Sequence, residues 1–335
     1  MQPATYKPLK TSNSGSKFFL ALLIVLLVAV GWLAINRRAV MDWISLRGYQ
    51  PPALVSQLAT QDTMTAYAQH VFYVNHPQVQ LKAAFDGECP SGTEQTVVLG
   101  CYHSDQAGIY VLQVSDPQLS GVEQVTAAHE TLHAIYDRLS TAKRNQVDGW
   151  LTDYYNSGLT DPNIKAQIAS YKQTEPHDVV NEMHSLFGTE VGNLPPQLEQ
   201  YYAQYFTNRA AVVADYNNYQ AAFSTRLNAI KQDDSQLATI KAQINADNAD
   251  LKNRDAAING QQNTLDQEKS SGDVTAYNNG VPGYNAQIDA YNAEVQAVHQ
   301  LVTQYNQLVS ARNGLALEEQ QLSQELSGNT VPSTK

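Results

Sequence analysis

Ile230, Leu237, Ile244, Leu251, Ile258 and Leu265 stand seven residues apart without exception. That period lays six apolar side chains along one stripe of a helix, a pattern that neither a strand nor a loop can use. Tyr284, Ile288, Tyr291, Val295, Val298, Val302, Tyr305 and Val309 then alternate steps of four and three, and Leu315, Leu322 and Leu326 prolong the stripe. Between the two runs lies SSGDVTAYNNGVPG, whose Gly272, Gly280, Pro282 and Gly283 interrupt a helix. Residues 207–328 are therefore predicted to form an antiparallel coiled-coil hairpin with arms 227–265 and 284–326, roughly 60 Å long. Asp234, Lys241, Asn248 and Asp255 occupy facing positions and weaken the seam. Self-association, or a protein partner, is the other way to cover such a stripe. Residues 329–335 read as a disordered tail.

A second constraint lies near the other end. Phe18–Ile35, FFLALLIVLLVAVGWLAI, is 18 residues without a charge. As a helix it would reach roughly 27 Å, about the thickness of bilayer hydrocarbon. It is apolar on every face, which a buried soluble helix seldom is. A removable signal peptide would carry a shorter apolar part and an Ala-x-Ala site, whereas Asn36, Arg37 and Arg38 follow here. The expectation is an uncleaved transmembrane anchor over residues 18–36, in contact with the lipid bilayer, after a short tail over 1–17. Lys7, Lys10 and Lys17 precede it and Arg37, Arg38 and Arg47 follow, so basic residues barely set its orientation. Cys89 and Cys101 are the chain's two cysteines. An even count at close spacing fits one disulfide in an oxidising compartment, the alternative being two buried thiols. A disulfide favours a cytoplasmic N-terminus with the remainder extracytoplasmic.

Residues 37–60, with Pro51-Pro52, read as a juxtamembrane connector, and residues 61–206 as a compact domain. Strands are predicted over 79–85 (VQLKAAF), 96–102 (TVVLGCY) and 109–114 (IYVLQV), the last two from their β-branched and aromatic content. HSDQAG would join the last two as a hairpin. Val122, Val125, Leu132, Tyr136 and Leu139 recur at helical spacing. Further helices are predicted from about Pro176 to Gly188 and after Pro195-Pro196, the latter carrying Tyr201, Tyr202 and Tyr205. A small sheet followed by helices points to an α+β domain. The net charge of −11, with no basic run beyond residue 47, excludes a nucleic-acid-binding surface.

The chemistry sits in the first of those helices: Ala127-Ala128-His129-Glu130-Thr131-Leu132-His133-Ala134-Ile135-Tyr136-Asp137. Residues four apart on a helix lie one above the other, so the imidazoles of His129 and His133 can reach one ion. Glu130 lies about 100° round on the same side, away from the apolar face. Neutral imidazoles suit zinc, three protein ligands leave a position for water, and a nearby carboxylate can take the water's proton.

HETLHAIYD resembles the active-site helix of the zincin metallopeptidases, and most closely that of the thermolysin-like gluzincins. The metzincin pattern needs Gly at 136 and His at 139, where Tyr136 and Leu139 stand. The gluzincin resemblance implies a Zn2+ held by a Glu on a later helix, commonly in an Asn-Glu pair, and Asn181-Glu182-Met183-His184-Ser185 supplies one. By that likeness Glu182 is the third ligand. The apolar stripe of this helix leaves Glu182 and His184 on either flank, so periodicity keeps His184 as a rival. With Glu182 on the metal, His184 could steady the oxyanion, as could Tyr201, Tyr202 or Tyr205. Asp137 could orient a ligand. Glu182 follows His133 by 49 residues, further than in the thermolysin-like enzymes, and Leu186 replaces an acidic residue often found four after the ligand. The resemblance also implies that the strand before the active-site helix, 109–114, borders the cleft and pairs with an extended peptide. The implied activity is that of an endopeptidase acting on an extracytoplasmic protein or peptide. The competing expectation is a structural or adhesion protein that works through its coiled coil.

Overall fold

The computed structural model describes residues 2–5, 14–89 and 98–327, so parts of the predicted tail 1–17, the start of the strand 96–102 and the tail 329–335 fall outside it. The chain divides into two units. The first comprises residues 1–90, 100–112 and 126–211, and the second 91–99, 113–125 and 212–335.

The first unit opens with helix α1 (Ser14–Ile35), which contains the uncharged run, and α2 (Arg37–Leu46). None of the window Phe18–Ile35 is buried inside the fold, and it is long and apolar enough to cross a membrane. Residues 37–60 are built into the unit: α2 buries Asp42, and α3 (Ala53–Gln61) buries Val55, Leu58 and Ala59. Helix α4 (Ala66–Val74) starts where the Thr65 hydroxyl accepts a bond from the Ala68 amide. Several helices thus precede the first strand, which corrects the expected order of sheet first and helices after.

Strand β1 (Gln78–Gln80) covers only the beginning of the run predicted as a strand over 79–85. The rest is helix α5 (Lys82–Glu88), because Lys82, Ala83 and Ala84 favour a helix, Lys82 pairs with Asp86 one turn on, and Phe85 is fully buried from that turn. Strands β2 (Gly100–His103) and β3 (Gly108–Leu112) form the predicted hairpin through HSDQAG. The sheet order is β1-β3-β2, with β1 parallel and β2 antiparallel to β3. Every residue of β3 is buried. The sulfurs of Cys89, after α5, and Cys101, on β2, are bonded as a disulfide.

Helices α6 (Val122–Asp137), α7 (Thr141–Ser157), α8 (Pro162–Thr174), α9 (Val179–Thr189) and α10 (Pro196–Tyr202) complete the domain. The Ser140 and Asp161 side chains cap α7 and α8. Helix α9 begins three residues later than predicted, which leaves His177 in an exposed turn. Its C-terminal end is tied by Arg209, whose guanidinium donates to the carbonyls of Phe187, Val191 and Gly192 and pairs with Glu199. Leu132, Ile135, Leu186, Phe187, Leu198, Tyr201 and Tyr202 pack the core at 0–1% exposure, so α6, α9 and α10 have little freedom to shift.

The second unit is dominated by α11 (Arg209–Ser271) and α12 (Val274–Ser327). They run antiparallel: as the first arm advances through Arg226, Asp234 and Arg254, its ion-pair partners retreat through Glu318, Arg312 and Glu294. The six heptad positions are all partly or fully covered. The reversal is shorter than the sequence implies. Gly272 alone, at φ +80°, turns the chain, and the Asp273 carboxylate accepts from the Ala276 amide to start α12. Helix α12 then continues through Gly280, Pro282 and Gly283. The arms are 63 and 54 residues, or about 95 and 80 Å. Gly280 serves packing here, since a Cβ would stand 2.8 Å from Leu265 Cδ2.

Candidate metal centre

Two helices meet at the candidate site. On α6, His129 and His133 sit one turn apart with ring centroids 4.8 Å from each other. On α9, Glu182 turns its carboxylate between them: Oε1 lies 3.4 Å from His133 Nε2 and Oε2 lies 3.7 Å from His129 Nε2. One atom from each of the three lies within 4.8 Å of the other two. Donors at about 2.0–2.1 Å from a tetrahedral ion are about 3.3 Å apart, so the observed spacings are of the size such an ion needs. The donor set of two imidazoles and one carboxylate fits a divalent transition metal and leaves a position for water.

The approach of the helices depends on Gly188. A Cβ there would meet Leu132 Cδ1 at 2.3 Å and Tyr202 Cε1 at 2.9 Å. Leu132 is the neighbour of His133, so the missing side chain lets α9 lie close against the ligand-bearing stretch of α6. Helical spacing predicts a stop at this glycine, whereas α9 ends one residue later, at Thr189.

The charges are arranged as a cation would need them. Burial alone would raise the Glu182 carboxyl, but His133 and His129 outweigh it and hold the group below its ordinary value; a hydrogen bond with Tyr171 adds to this. Burial alone would lower His129, but its hydrogen bond with Glu182, followed by the charges of Glu130, Glu182 and Glu190, pushes it up to about 9. The shifts of the two partners agree: the metal-free site is an anionic carboxylate facing a protonated imidazole. A proton here performs the neutralisation that a divalent cation would perform.

Tyr171 also belongs to the site, with no signal for it in the sequence pattern. It lies on α8, in the long segment between the two ligand stretches, and reaches Glu182 from there. No spacing rule links residues 171 and 182; only the packing of α8 on α9 does. Glu175 and Asp178 each bring a carboxylate oxygen within 4.8 Å of one of Glu182.

Glu130 is 6% exposed and stands beside β2, whose Gly100 would place a Cβ only 2.9 Å from Glu130 Cγ and Oε1. The strand that borders the site is therefore β2. This corrects the expectation for residues 109–114: β3 is the central strand, bonded on both sides over much of its length, and has no free edge there to offer a peptide. Among the described residues, β2 forms one edge of the sheet.

His184 is fully buried. Its Nε2 is 2.9 Å from the Tyr201 hydroxyl, and Tyr136, Tyr201 and Tyr202 surround the ring at 5.2–5.6 Å. Burial pushes its pKa well below the usual value, with His133 and His129 acting in the same direction. The structure thus brings Glu182 to the two imidazoles and sets His184 into an aromatic layer. Tyr202 donates to the His184 carbonyl, and Tyr201 and Tyr205 are buried in the same layer. Asp137 closes α6, accepts from the Tyr102 hydroxyl at 3.1 Å and is not among the clustered ligand atoms. Comparison with protein-family models, with curated proteins and with solved structures finds no match to this chain.

Proposed function

We propose that the chain is a membrane-anchored, zinc-dependent endopeptidase of zincin type, with His129, His133 and Glu182 as ligands and Glu130 as general base. The observation that carries the reading is the seating of Glu182 against both imidazoles of a His-Glu-x-x-His helix. A zinc ion bound there would lower the pKa of water towards neutrality and polarise the scissile carbonyl. Glu130 accepts a proton from the attacking water. The water oxygen bonds to the carbonyl carbon, the C–N bond breaks, and Glu130 returns the proton to the leaving nitrogen. The edge of β2 pairs with the main chain of an extended substrate, a mode that tolerates many side chains. Low exposure of Glu130, His133 and Glu182 keeps bulk water from screening these charges.

The test uses the full chain in detergent. About one zinc per chain is expected, together with cleavage of an unfolded polypeptide. Glu130→Gln should retain the metal and lower turnover by about 10²–10⁴. Full activity in that variant would sink the mechanism.

A further inference from the structure

We propose that the substrates are polypeptides held in the same membrane, cut within about ten residues of its surface. This rests on the peptidase reading above and on residues 18–35 crossing the bilayer.

The physical basis is a short, rigid path from the apolar helix to the ligand helix. Helix α2 follows α1 with only Asn36 between them, and helical bonds run across the junction: the Asn36 amide donates to the Trp32 carbonyl at 2.9 Å and the Val40 amide to the Asn36 carbonyl at 3.0 Å. Helix α2 is then fastened to the C-terminal end of α6. The Asp42 carboxylate accepts two bonds from the Arg138 guanidinium at 2.8 and 2.9 Å, with both side chains only 10% exposed. His70 and Gln106 close round the same carboxylate. The Arg38 guanidinium donates to the carbonyl of Asp137, the last residue of α6. An open cleft of about 610 Å³ is lined by Ala34, Ile35 and Arg37 on one side and by Tyr102, Asp105 and Asp137 on the other. Pro51-Pro52 come after this clamp, so a stiff or flexible connector there cannot lift the domain away from the span.

Elementary helix geometry turns the clamp into a distance. Arg38 lies about 4.5 Å along the helix from Ile35, and His133 and His129 lie about 6 and 12 Å back from Asp137. With the side chains that join them, the ligands are on the order of 25 Å or less from the end of the span, whichever way α6 points. An extended chain covers that in about seven residues. A soluble peptide must find such a site by diffusion through the whole solution, whereas a chain anchored in the same bilayer is confined to the thin layer beside it. Segments far along a flexible chain spend less time near the surface, by the loop-closure law.

The experiment places the full-length protein in vesicles with a long disordered reporter polypeptide fused to a transmembrane helix on the same face. Cleavage positions are mapped by mass spectrometry and compared with those in the same reporter lacking its anchor. Cuts in the anchored reporter should fall mainly within about ten residues of the bilayer, at least tenfold over distant positions, while the unanchored one is cut throughout. Equal distributions would overturn the proposal. Cleavage of neither reporter by a protein that binds zinc defeats the peptidase reading, and with it the proposal. The placement has its own readout. The described residues contain no free cysteine, so His177→Cys in the exposed turn before α9 takes a single fluorophore. Energy transfer to labelled lipid headgroups should report a separation below about 40 Å, and a separation beyond about 60 Å would overturn the placement even if cleavage occurs.

Discussion

Gly100 and Glu130 approach so closely that only glycine fits at position 100: a Cβ there would stand 2.9 Å from Glu130 Cγ and Oε1 and 2.4 Å from Thr126 Cγ2. The edge strand and the proposed general base thus share one steric boundary. Gly100→Ala should push the carboxylate aside while leaving the ligands where they are. Displacing a reacting group by about 1 Å costs on the order of 10²-fold in rate. Turnover should fall by about that factor with zinc stoichiometry unchanged. A variant that loses its zinc instead would show that β2 supports the ligands and not the base.

Gly188 would have the corresponding role for a metal held by the three side chains. With a Cβ 2.3 Å from Leu132 Cδ1 in a fully buried core, α9 must move away from α6 or Leu132 must leave its rotamer. Overpacking of this kind costs about 1–3 kcal/mol. Because Glu182 rides on α9, Gly188→Ala should weaken zinc binding more than Gly149→Ala, where a Cβ meets nothing within 4 Å. Competition against a chelator measures both. Equal affinities in the two variants would show that the ligand geometry does not depend on this helix contact.

The His129–Glu182 pair predicts how metal uptake varies with pH. His129 titrates at about 9 in the metal-free chain, raised above its ordinary value chiefly by the hydrogen bond with Glu182 once the opposing effect of burial is overcome. A group raised in this way stabilises the metal-free fold below its unfolded pKa and loses that contribution as pH rises through 9. A ligand imidazole must be neutral, so zinc expels the proton. Apparent affinity should climb about tenfold per pH unit between roughly 7 and 9. Calorimetry in two buffers of different ionisation heat should find about one proton released per zinc at neutral pH, and fewer in Glu182→Gln. No release from the native site would mean that His129 is already neutral.

Different parts of this molecule were legible in the sequence to different degrees, for physical reasons. The helix carrying His129, Glu130 and His133 announces itself because its ligand spacing and its apolar stripe share one period. The heptads of α11 do the same over a longer range. Glu182 was reachable only through a family likeness, since periodicity treated Glu182 and His184 alike; burial in three dimensions separates them, with one carboxylate turned to the imidazoles and one ring enclosed by tyrosines. Tyr171, Gly100 and Gly188 act through contacts between elements, which no local pattern encodes. The run 79–85 misled because VQLKAAF satisfies an alternating pattern while its lysine and alanines favour a helix, and the buried Phe85 is reached equally well from either. Residues 270–283 misled in the opposite sense. Glycines and a proline suggested a long break, but one left-handed glycine suffices to reverse a chain.

The pairing of Asp42 with Arg138 sets an acid limit on the fold. Burial raises the Asp42 carboxyl, but the hydrogen bonds and charges of Arg138 and His70 outweigh it and hold the group below its ordinary value. A carboxyl depressed in the folded state contributes stability that is present above its unfolded pKa, near 3.9, and is lost as pH falls through the folded value. The window of this loss is therefore below about pH 4. At neutral pH, Asp42→Asn leaves the Arg138 guanidinium buried without its counter-charge, and breaking a buried pair on one side costs about 3–5 kcal/mol. The variant should melt well below the native protein at pH 7, and the gap should narrow as the pH falls below about 4 and the native carboxylate takes up its own proton. Replacing both partners by apolar residues, Asp42→Leu with Arg138→Met, should recover part of the loss, because no charge is then stranded. A constant gap across the pH range would show that the pair stabilises through shape and not through charge.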